Sequence, residues 1–141
     1  MNATQTAGFE EVPHTADLEL HVWGEDMTTL FRQAASGMFQ LLDVKEDPRG
    51  EQTIRRDLSL QAMDEEGLLV QLLEELLYLA VEKGLAFRID SLTISPDMTL
   101  QASLTGREIE GFRRDIKAVT YHNLEIRSTE DGLEVDIVFD I

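Results

Sequence analysis

Cysteine is absent from the 141-residue chain, and proline occurs only three times. Without cysteine the chain can form no disulfide, thiolate metal site, iron–sulfur cluster or cysteine nucleophile. A run of about 18 apolar residues, as a membrane span needs, is missing too, because Gln71, Glu74 and Glu75 interrupt the most hydrophobic stretch. The first ten residues lack the basic start and apolar segment of a secretory signal, so we expect a cytoplasmic protein.

Basic residues are scarce, since 12 Lys and Arg stand against 28 Asp and Glu and give a formal charge of −16. Such a surface repels phosphate backbones and anionic headgroups over about 8–10 Å at physiological salt. Stable direct binding of RNA or of a membrane is therefore not expected. The excess of carboxylates has three interpretations: solubility, a basic protein partner, or a hard cation held by several of them.

Alternation of apolar and polar residues predicts six strands. In the first, Asp17 begins the polar face and Leu18 begins the apolar face. The last two are joined by a hairpin at 129–132, whose Asp-Gly ending favours a tight turn. The predicted strands cover residues 17–23, 54–62, 87–94, 99–107, 121–127 and 133–141.

Two helices are predicted between these strands. Residues 28–42 repeat apolar side chains every three or four positions, behind an N-cap at Asp26 or Thr28. A second, leucine-rich helix runs from a cap at Asp64 to Gly84, which is placed to end it, and we expect this helix at the centre of the core.

The order of these elements predicts an α+β fold. Strand, helix, strand, helix and then several strands indicate two main helices packed on a mostly antiparallel sheet, in a two-layer or sandwich-like arrangement. The length favours one compact domain over residues 1–141. Residues 1–7 are expected to form a flexible arm.

The last predicted strand suggests a metal site. Its polar face ends at Asp140 and its apolar face at Ile141. If the Ile141 side chain anchors the strand end, its α-carboxylate lies beside Asp140, and the two negative groups repel each other unless a cation intervenes. Oxygen ligands suit Ca²⁺, Mg²⁺ or Mn²⁺, whereas three histidines and no thiolate do not suit zinc. The spacing alone supports this weakly, because most terminal acidic residues are solvated.

Motifs of common enzyme classes are absent, including the Walker loop, the dinucleotide glycine fingerprint, HExxH and GxSxG. On spacing alone, His14 and His122 are expected to be structural hydrogen-bonding residues. A cluster of basic residues is expected to face carboxylates, with anion binding as the alternative, and it consists of Arg107, Arg113, Arg114 and Lys117.

Three segments of the chain closely resemble signature segments of the archease family. They are Pro-His-Thr-Ala-Asp-Leu at 13–18, Ile-Lys-Ala-Val-Thr-Tyr-His-Asn-Leu at 116–124, and Val-Phe-Asp-Ile at 138–141. The resemblance extends over nearly the whole chain. It implies an accessory protein of the RtcB-type RNA ligase, with no catalytic residue of its own, that promotes guanylylation of the ligase's active-site histidine. It also implies multiple turnover and broadened nucleotide use by that ligase in tRNA splicing or RNA repair.

The resemblance further implies which residues act. The family's metal site corresponds to Asp17, Asp140 and the C-terminal Ile141, for which Ca²⁺ is expected in a crystal and Mg²⁺ or Mn²⁺ are possible in the cell. Further functional candidates beside this site are Lys117, His122, His14 and Asp43. The ligase is the expected basic protein partner, because an acidic protein carrying a cation can dock near a basic RNA channel.

Two other functions stay open at this point. A stand-alone metal-dependent hydrolase would need a general base, for which His122 is the nearest nominee. A chaperone-like acidic interaction module would need no metal. The sequence leaves the oligomeric state open.

Overall fold

The computed structural model describes residues 6–13 and 17–141. Residues 1–5 of the predicted arm and His14 lie outside this range. None of the helices within it is both long and apolar enough to cross a membrane. The described elements follow the order β1 (Gly8–Val12), β2 (Leu18–Gly24), α1 (Met27–Leu42), β3 (Val44–Glu46), β4 (Ile54–Gln61), α2 (Glu65–Lys83), β5 (Leu85–Ile94), β6 (Thr99–Phe112), β7 (Ala118–Val119), β8 (Arg127–Thr129) and β9 (Gly132–Asp140).

The strands form two antiparallel sheets. In the five-stranded sheet, β9 pairs with β2, which pairs with β1, and β9 also pairs with β7 and β8. In the four-stranded sheet, β4 and β5 flank the same stretch of β6, and β3 pairs with the end of β6. The predicted α+β class is thus confirmed, with the strands divided between two sheets.

Both helices begin and end at residues that satisfy their terminal backbone groups. The Asp26 carboxylate accepts the Thr29 N–H at 2.8 Å, and Asp64 caps α2 in the same way. Asp43 ends α1 in the left-handed conformation, at φ 55°. Gly84 ends α2 at φ 66°, where the lack of a Cβ removes the steric cost.

The core lies where the helices meet the sheets. Helix α1 contacts β1, β2 and β5, and α2 contacts β4 to β7, so each helix touches both sheets. Gly37 lets α1 approach β2 closely, because a Cβ there would lie 2.5 Å from Leu20 Cδ2. The expectation that α2 lies at the centre of the core is confirmed, since Leu68, Leu72 and Leu76 have no solvent exposure. Burial on most of its circumference is typical of such a helix.

The prediction of a strand at 121–127 was wrong for most of its length. Strand β7 ends before this segment and β8 begins at its last residue, and the chain between them leaves β9. One of its backbone donors bonds to α2 instead, because the Ile126 N–H reaches Glu66 Oε2 at 2.9 Å. Just before the segment, the Val119 N–H of β7 reaches Glu74 Oε1 of the same helix at 2.9 Å.

Three further differences concern strand ends and short strands. Strand β6 continues to Phe112 rather than ending near 107, and β1 and β3 were not predicted. Strand β3 has three residues, too few to show a period of two. The predicted hairpin is confirmed, because Thr129 pairs with Gly132 across a two-residue loop.

We predict that Asp26→Ala lowers the free energy of unfolding by about 1 kcal/mol at pH 7, because α1 loses its N-cap. Hydrogen bonds from Thr29 lower the pKa of the Asp26 carboxyl below its ordinary value of 3.8. The carboxylate therefore stabilises the fold fully above that value, and its contribution falls as the pH drops through the lowered pKa. Urea unfolding of wild type and variant at pH 7 and near pH 3 measures this difference.

Asp26→Asn is the matched control, since Asn caps a helix as well as Asp does but carries no titrating group. This variant should keep most of the stability at pH 7. A difference between wild type and Asp26→Ala that stays constant down to pH 3 would contradict the assignment.

Candidate functional site

Three chain segments meet at one end of the five-stranded sheet. Leu18 of β2 pairs with Phe139 of β9, and Ala118 of β7 pairs with Asp140 on the other edge of β9. Asp17 directly precedes β2 and Asp140 ends β9, so the β2–β9 register, if continued by one residue, would bring Asp17 opposite Asp140. Because Leu18 and Phe139 face the core, the two aspartates lie on the opposite face of the sheet. We call Asp17, Lys117, Asp140 and Ile141 the acidic corner.

Opposite each other, the two aspartates of the acidic corner would form a like-charge pair. Residues directly opposite on antiparallel strands have Cβ atoms about 4.5–5.5 Å apart, and like charges there are destabilising. Their donors are carboxylate oxygens, the type that hard divalent cations take. Across 6–13 and 17–141, no group of three or more His, Asp and Glu side chains is arranged to hold a metal ion. The corner therefore offers two carboxylate side chains, and the α-carboxylate of Ile141 as a third ligand stays a prediction.

The Ile141 side chain, the conditional anchor of the strand end, is 49% exposed, and β9 ends one residue earlier, at Asp140. The strand end is held through its backbone instead, because the Lys117 N–H donates to the Asp140 carbonyl at 2.8 Å.

Lys117 contributes the only cation of the acidic corner. Its side chain is exposed and forms no ion pair with any side chain in the described ranges. The three arginines of the basic cluster behave differently, and the expectation that the cluster faces carboxylates is confirmed for them alone. Their ion pairs are Arg107–Glu46 at 2.6 Å, Arg113–Asp43 at 3.4 Å and Arg114–Glu11 at 2.9 Å.

Arg114 and Asp43 have structural contacts. Arg114 binds both oxygens of Glu11, at 3.0 and 2.9 Å, and this hydrogen bonding lowers the pKa of Glu11 below its ordinary value of 4.5. The pair fastens β1 to the segment that follows β6. Asp43 ends α1 and pairs with Arg113, and its recorded contacts do not include the acidic corner.

His122 lies in an exposed turn beyond β7. Its backbone N–H donates to Thr120 Oγ1 at 3.2 Å, and its ring Nε2 lies 3.3 Å from Asn123 Nδ2. Asn123 adopts φ 52°, a conformation that Asn tolerates better than most residues. The Thr120 N–H bonds to Val138, so the turn starts two residues along β9 from Asp140. His14, in the segment that precedes Asp17, lies outside the described residues.

A charged network that the sequence did not predict lies on the same face of the sheet. Asp136 of β9 accepts from His21 at 2.7 Å and from Arg127 at 3.0 Å, and Arg127 also pairs with Glu134 at 3.2 Å. The matching polar faces of the first and last predicted strands were the available signal. Arg127 offsets part of the negative charge in the middle of β9, whereas Asp140 has no ion pair within the part of the chain that the structure describes.

Comparison with known families decides the relationship. Residues 9–141 match the Archease protein family (MTH1598/TM1083). The chain belongs to the archease family. It is 32% identical to the protein archease of Methanosarcina barkeri, over 99% of each chain. It is 33% identical to the protein archease of Saccharolobus islandicus strain M.14.25, over 94% of this chain and 98% of the relative.

Solved structures share the family's fold. The solution structure of Methanobacterium thermoautotrophicum protein 1598 aligns with a TM-score of 0.74 at 26% identity, over 95% of this chain and 99% of that one. The crystal structure of an archease, possible chaperone, from Thermotoga maritima aligns with a TM-score of 0.67 over 94% and 96%. At 22% identity, this second likeness shows the archease fold alone.

We predict opposite effects for two substitutions in β9 when divalent cations are removed with a chelator. Asp140→Asn relieves the facing negative charges and should raise the free energy of unfolding by a few tenths of a kcal/mol at low salt. Asp136→Asn weakens the contacts to His21 and Arg127 and should lower it by about 0.5–1 kcal/mol.

Urea unfolding at two salt concentrations measures both effects. The gain in Asp140→Asn should shrink at high salt, because exposed charges are screened. A loss of stability in both variants would show that Asp140 is held by a favourable contact, contrary to the like-charge pairing.

Proposed function

We propose that this protein is a metal-binding accessory protein of an RtcB-type RNA ligase. In this role it promotes guanylylation of the ligase's active-site histidine, allows multiple turnover and broadens nucleotide use, in tRNA splicing or RNA repair. The observation that carries the proposal is the convergence at the acidic corner. Asp17, Lys117 and Asp140 come from three separate segments that resemble archease signatures, and the β2–β9–β7 pairing brings these segments together.

An accessory role agrees with the family's other features. The archease from Thermotoga maritima is described as a possible chaperone, a role that acts on another protein. As part of this proposal, we assign no catalytic residue to this chain. A cytoplasmic location belongs to the same proposal, because the ligase acts on RNA.

Asp17 and Asp140 would hold the divalent cation. A cation between two facing carboxylates turns their repulsion into attraction, which gives the pair a reason to lie opposite each other. Two carboxylates supply fewer oxygens than the six to eight that Ca²⁺ takes. The α-carboxylate of Ile141, water or a group of the partner would complete the shell. Ca²⁺, Mg²⁺ and Mn²⁺ all suit these donors.

Charge would guide the encounter with the ligase. A ligase presents a basic channel to RNA, and a protein of charge −16 is attracted to such a channel when RNA is absent. Activation then requires that the accessory protein bind the guanylylation-competent conformation of the ligase more tightly than the other conformations.

The decisive experiment is guanylylation of the cognate ligase under multiple-turnover conditions. Wild type should accelerate it, whereas Asp17→Asn and Asp140→Asn should lose at least about tenfold of the acceleration, because each removes one charge from the proposed metal site. Asp131→Asn, in the exposed loop between β8 and β9, is the matched control and should act as wild type does. Absence of acceleration by folded wild type would refute the proposed function.

Metal binding has its own measurement. Calorimetric titration with Ca²⁺ should give a binding isotherm for wild type and for Asp131→Asn, and a much weaker one for Asp140→Asn. Equal affinities in all three proteins would show that the metal binds outside the acidic corner, even if the ligase is activated.

We also predict that association with the ligase is salt-dependent. Raising the salt from about 50 to 300 mM should lower the association rate constant about tenfold, because salt screens the attraction between opposite charges. Stopped-flow mixing measures the rate constant directly. A rate constant that does not change with salt would contradict docking by charge.

A further inference from the structure

Five large apolar side chains of the described residues are exposed: Met63 at 96%, Tyr121 at 61%, Ile141 at 49%, Tyr78 at 47% and Val81 at 43%. All but Ile141 line one of two grooves beside α2. Tyr78 and Val81 lie on the outward side of α2, and Met63 precedes the helix. Tyr121 belongs to the 115–121 segment, and Ile141 belongs to the acidic corner. We call this surface the α2 face. Scattered exposed apolar residues need no explanation, whereas a continuous group of them indicates an interaction site.

A groove of about 410 Å³ lies beside the C-terminal half of α2. Leu77, Phe112 and Ile116 contribute apolar lining, and Tyr78 and Val81 form an exposed wall. Its polar lining is mostly acidic and comprises Glu74, Glu82, Asp115 and Lys117. The groove therefore combines an apolar lining with a negative rim.

A second groove of about 740 Å³ lies beside the N-terminal half of the same helix. Met63, Met98 and Tyr121 contribute apolar surface, and Asp64 and Asp97 contribute carboxylates. The helix positions that line the two grooves fall at intervals of three or four residues, so they share one side of α2.

The hydrogen bond between Glu74 and the backbone N–H of Val119 lies between the two grooves. Glu74 lines the first groove and accepts the Val119 N–H, which fixes the 115–121 segment against α2. Lys117 and Tyr121 lie on either side of this contact, each in one groove. The α2 face is thus built on a buried helix and a bonded segment, and it presents two preformed recesses.

We propose that the α2 face docks a basic amphipathic segment of the partner protein, with one apolar side chain in each groove and lysines or arginines against the rim. The inference rests on the proposed function, since the partner is the ligase. The negative charge of the two grooves favours a basic segment as the occupant. Among the described charged residues that line the two grooves, Lys117 is basic and the others are acidic: Asp64, Glu74, Glu82, Asp97 and Asp115.

The other occupants fit this surface poorly. Nucleic acid carries the same sign of charge as the rim and is repelled. A second copy of this chain brings another charge of −16, so self-association across the face is opposed by the same repulsion.

Continuity with the acidic corner gives the docking a functional consequence. The Lys117 side chain lines the first groove, and its backbone N–H bonds to Asp140. A segment seated in this groove therefore reaches the end of β9 that carries Asp140 from the α2 side of the sheet, whereas the Asp17 and Asp140 side chains lie on its other face. Docking on the α2 face would bring a neighbouring part of the ligase against that corner.

The test separates binding from activation. The double variant Tyr78→Ala, Val81→Ala removes the exposed wall while keeping good helix formers at both positions. Its calorimetric Kd for the intact ligase should rise at least tenfold, because apolar and aromatic anchors dominate interface affinity. Its acceleration of guanylylation at saturating concentration should equal that of wild type. The matched control is Gln40→Ala at an exposed position of α1, which should leave both quantities unchanged.

A charge reversal tests the rim. Glu82→Lys should weaken ligase binding and reduce its salt dependence, whereas Glu130→Lys, in the loop at the opposite end of β9, should have much less effect. Equal effects of the two reversals would mean that only net charge matters, and this would overturn the assignment of the rim.

The outcomes distinguish this inference from the proposed function. If wild type activates the ligase and Tyr78→Ala, Val81→Ala binds as tightly as wild type, the α2 face is not the docking surface and the proposed function stands. If wild type binds but does not activate, and the double variant loses binding, the docking surface stands and the proposed function fails. No binding by wild type refutes both. A wild-type dimer in sedimentation that the double variant abolishes would assign the face to a second copy and overturn the choice of partner.

Discussion

The pairing of β9 with β2 is the constraint on which the acidic corner depends. Leu18 and Phe139 pair with each other and are buried, so their burial determines the register. A slip of one residue would turn Asp140 toward the core and Phe139 toward solvent. Burying one such apolar side chain contributes about 1.5–3 kcal/mol, whereas facing like charges cost at most about 1 kcal/mol. Core packing therefore holds the two aspartates together against their repulsion.

Helix α2 determines the other half of the site through two glutamates. Glu74 accepts the backbone N–H of Val119 at the end of β7, and Glu66 accepts that of Ile126 just before β8. A carboxylate that accepts a backbone donor makes a stronger hydrogen bond than a neutral acceptor does. These bonds hold both ends of the chain between β7 and β8 against α2, which places Lys117 and Tyr121 beside that helix. The same contacts thus shape the acidic corner and the α2 face.

Local patterns in the sequence predicted the parts of the fold that local interactions decide. Both helices and their caps followed from periodicity and from Asp64 and Gly84, whose roles depend on neighbours a few residues away. The segment at 121–127 was misassigned because the N–H of Ile126 bonds to a carboxylate 60 residues earlier in the chain, which no local pattern reports. The placement of Asp17 opposite Asp140 is likewise a long-range property, and only the resemblance to the archease family linked them. The exposure of Ile141 contradicted its apolar position in the alternation, because β9 ends before it.

The surface combines two properties that oppose each other in most proteins. Exposed apolar groups on the α2 face favour association, whereas a net charge of −16 opposes association with anything of the same sign. Charge acts over several ångströms and mainly sets the rate of encounter, whereas apolar contact acts only after docking and mainly sets the rate of dissociation. A basic partner meets both conditions, because it is attracted from a distance and then retained by the grooves. A second copy of the chain is repelled from a distance, so it does not reach the grooves that could retain it. The acidic composition therefore selects the partner that the apolar surface is able to hold.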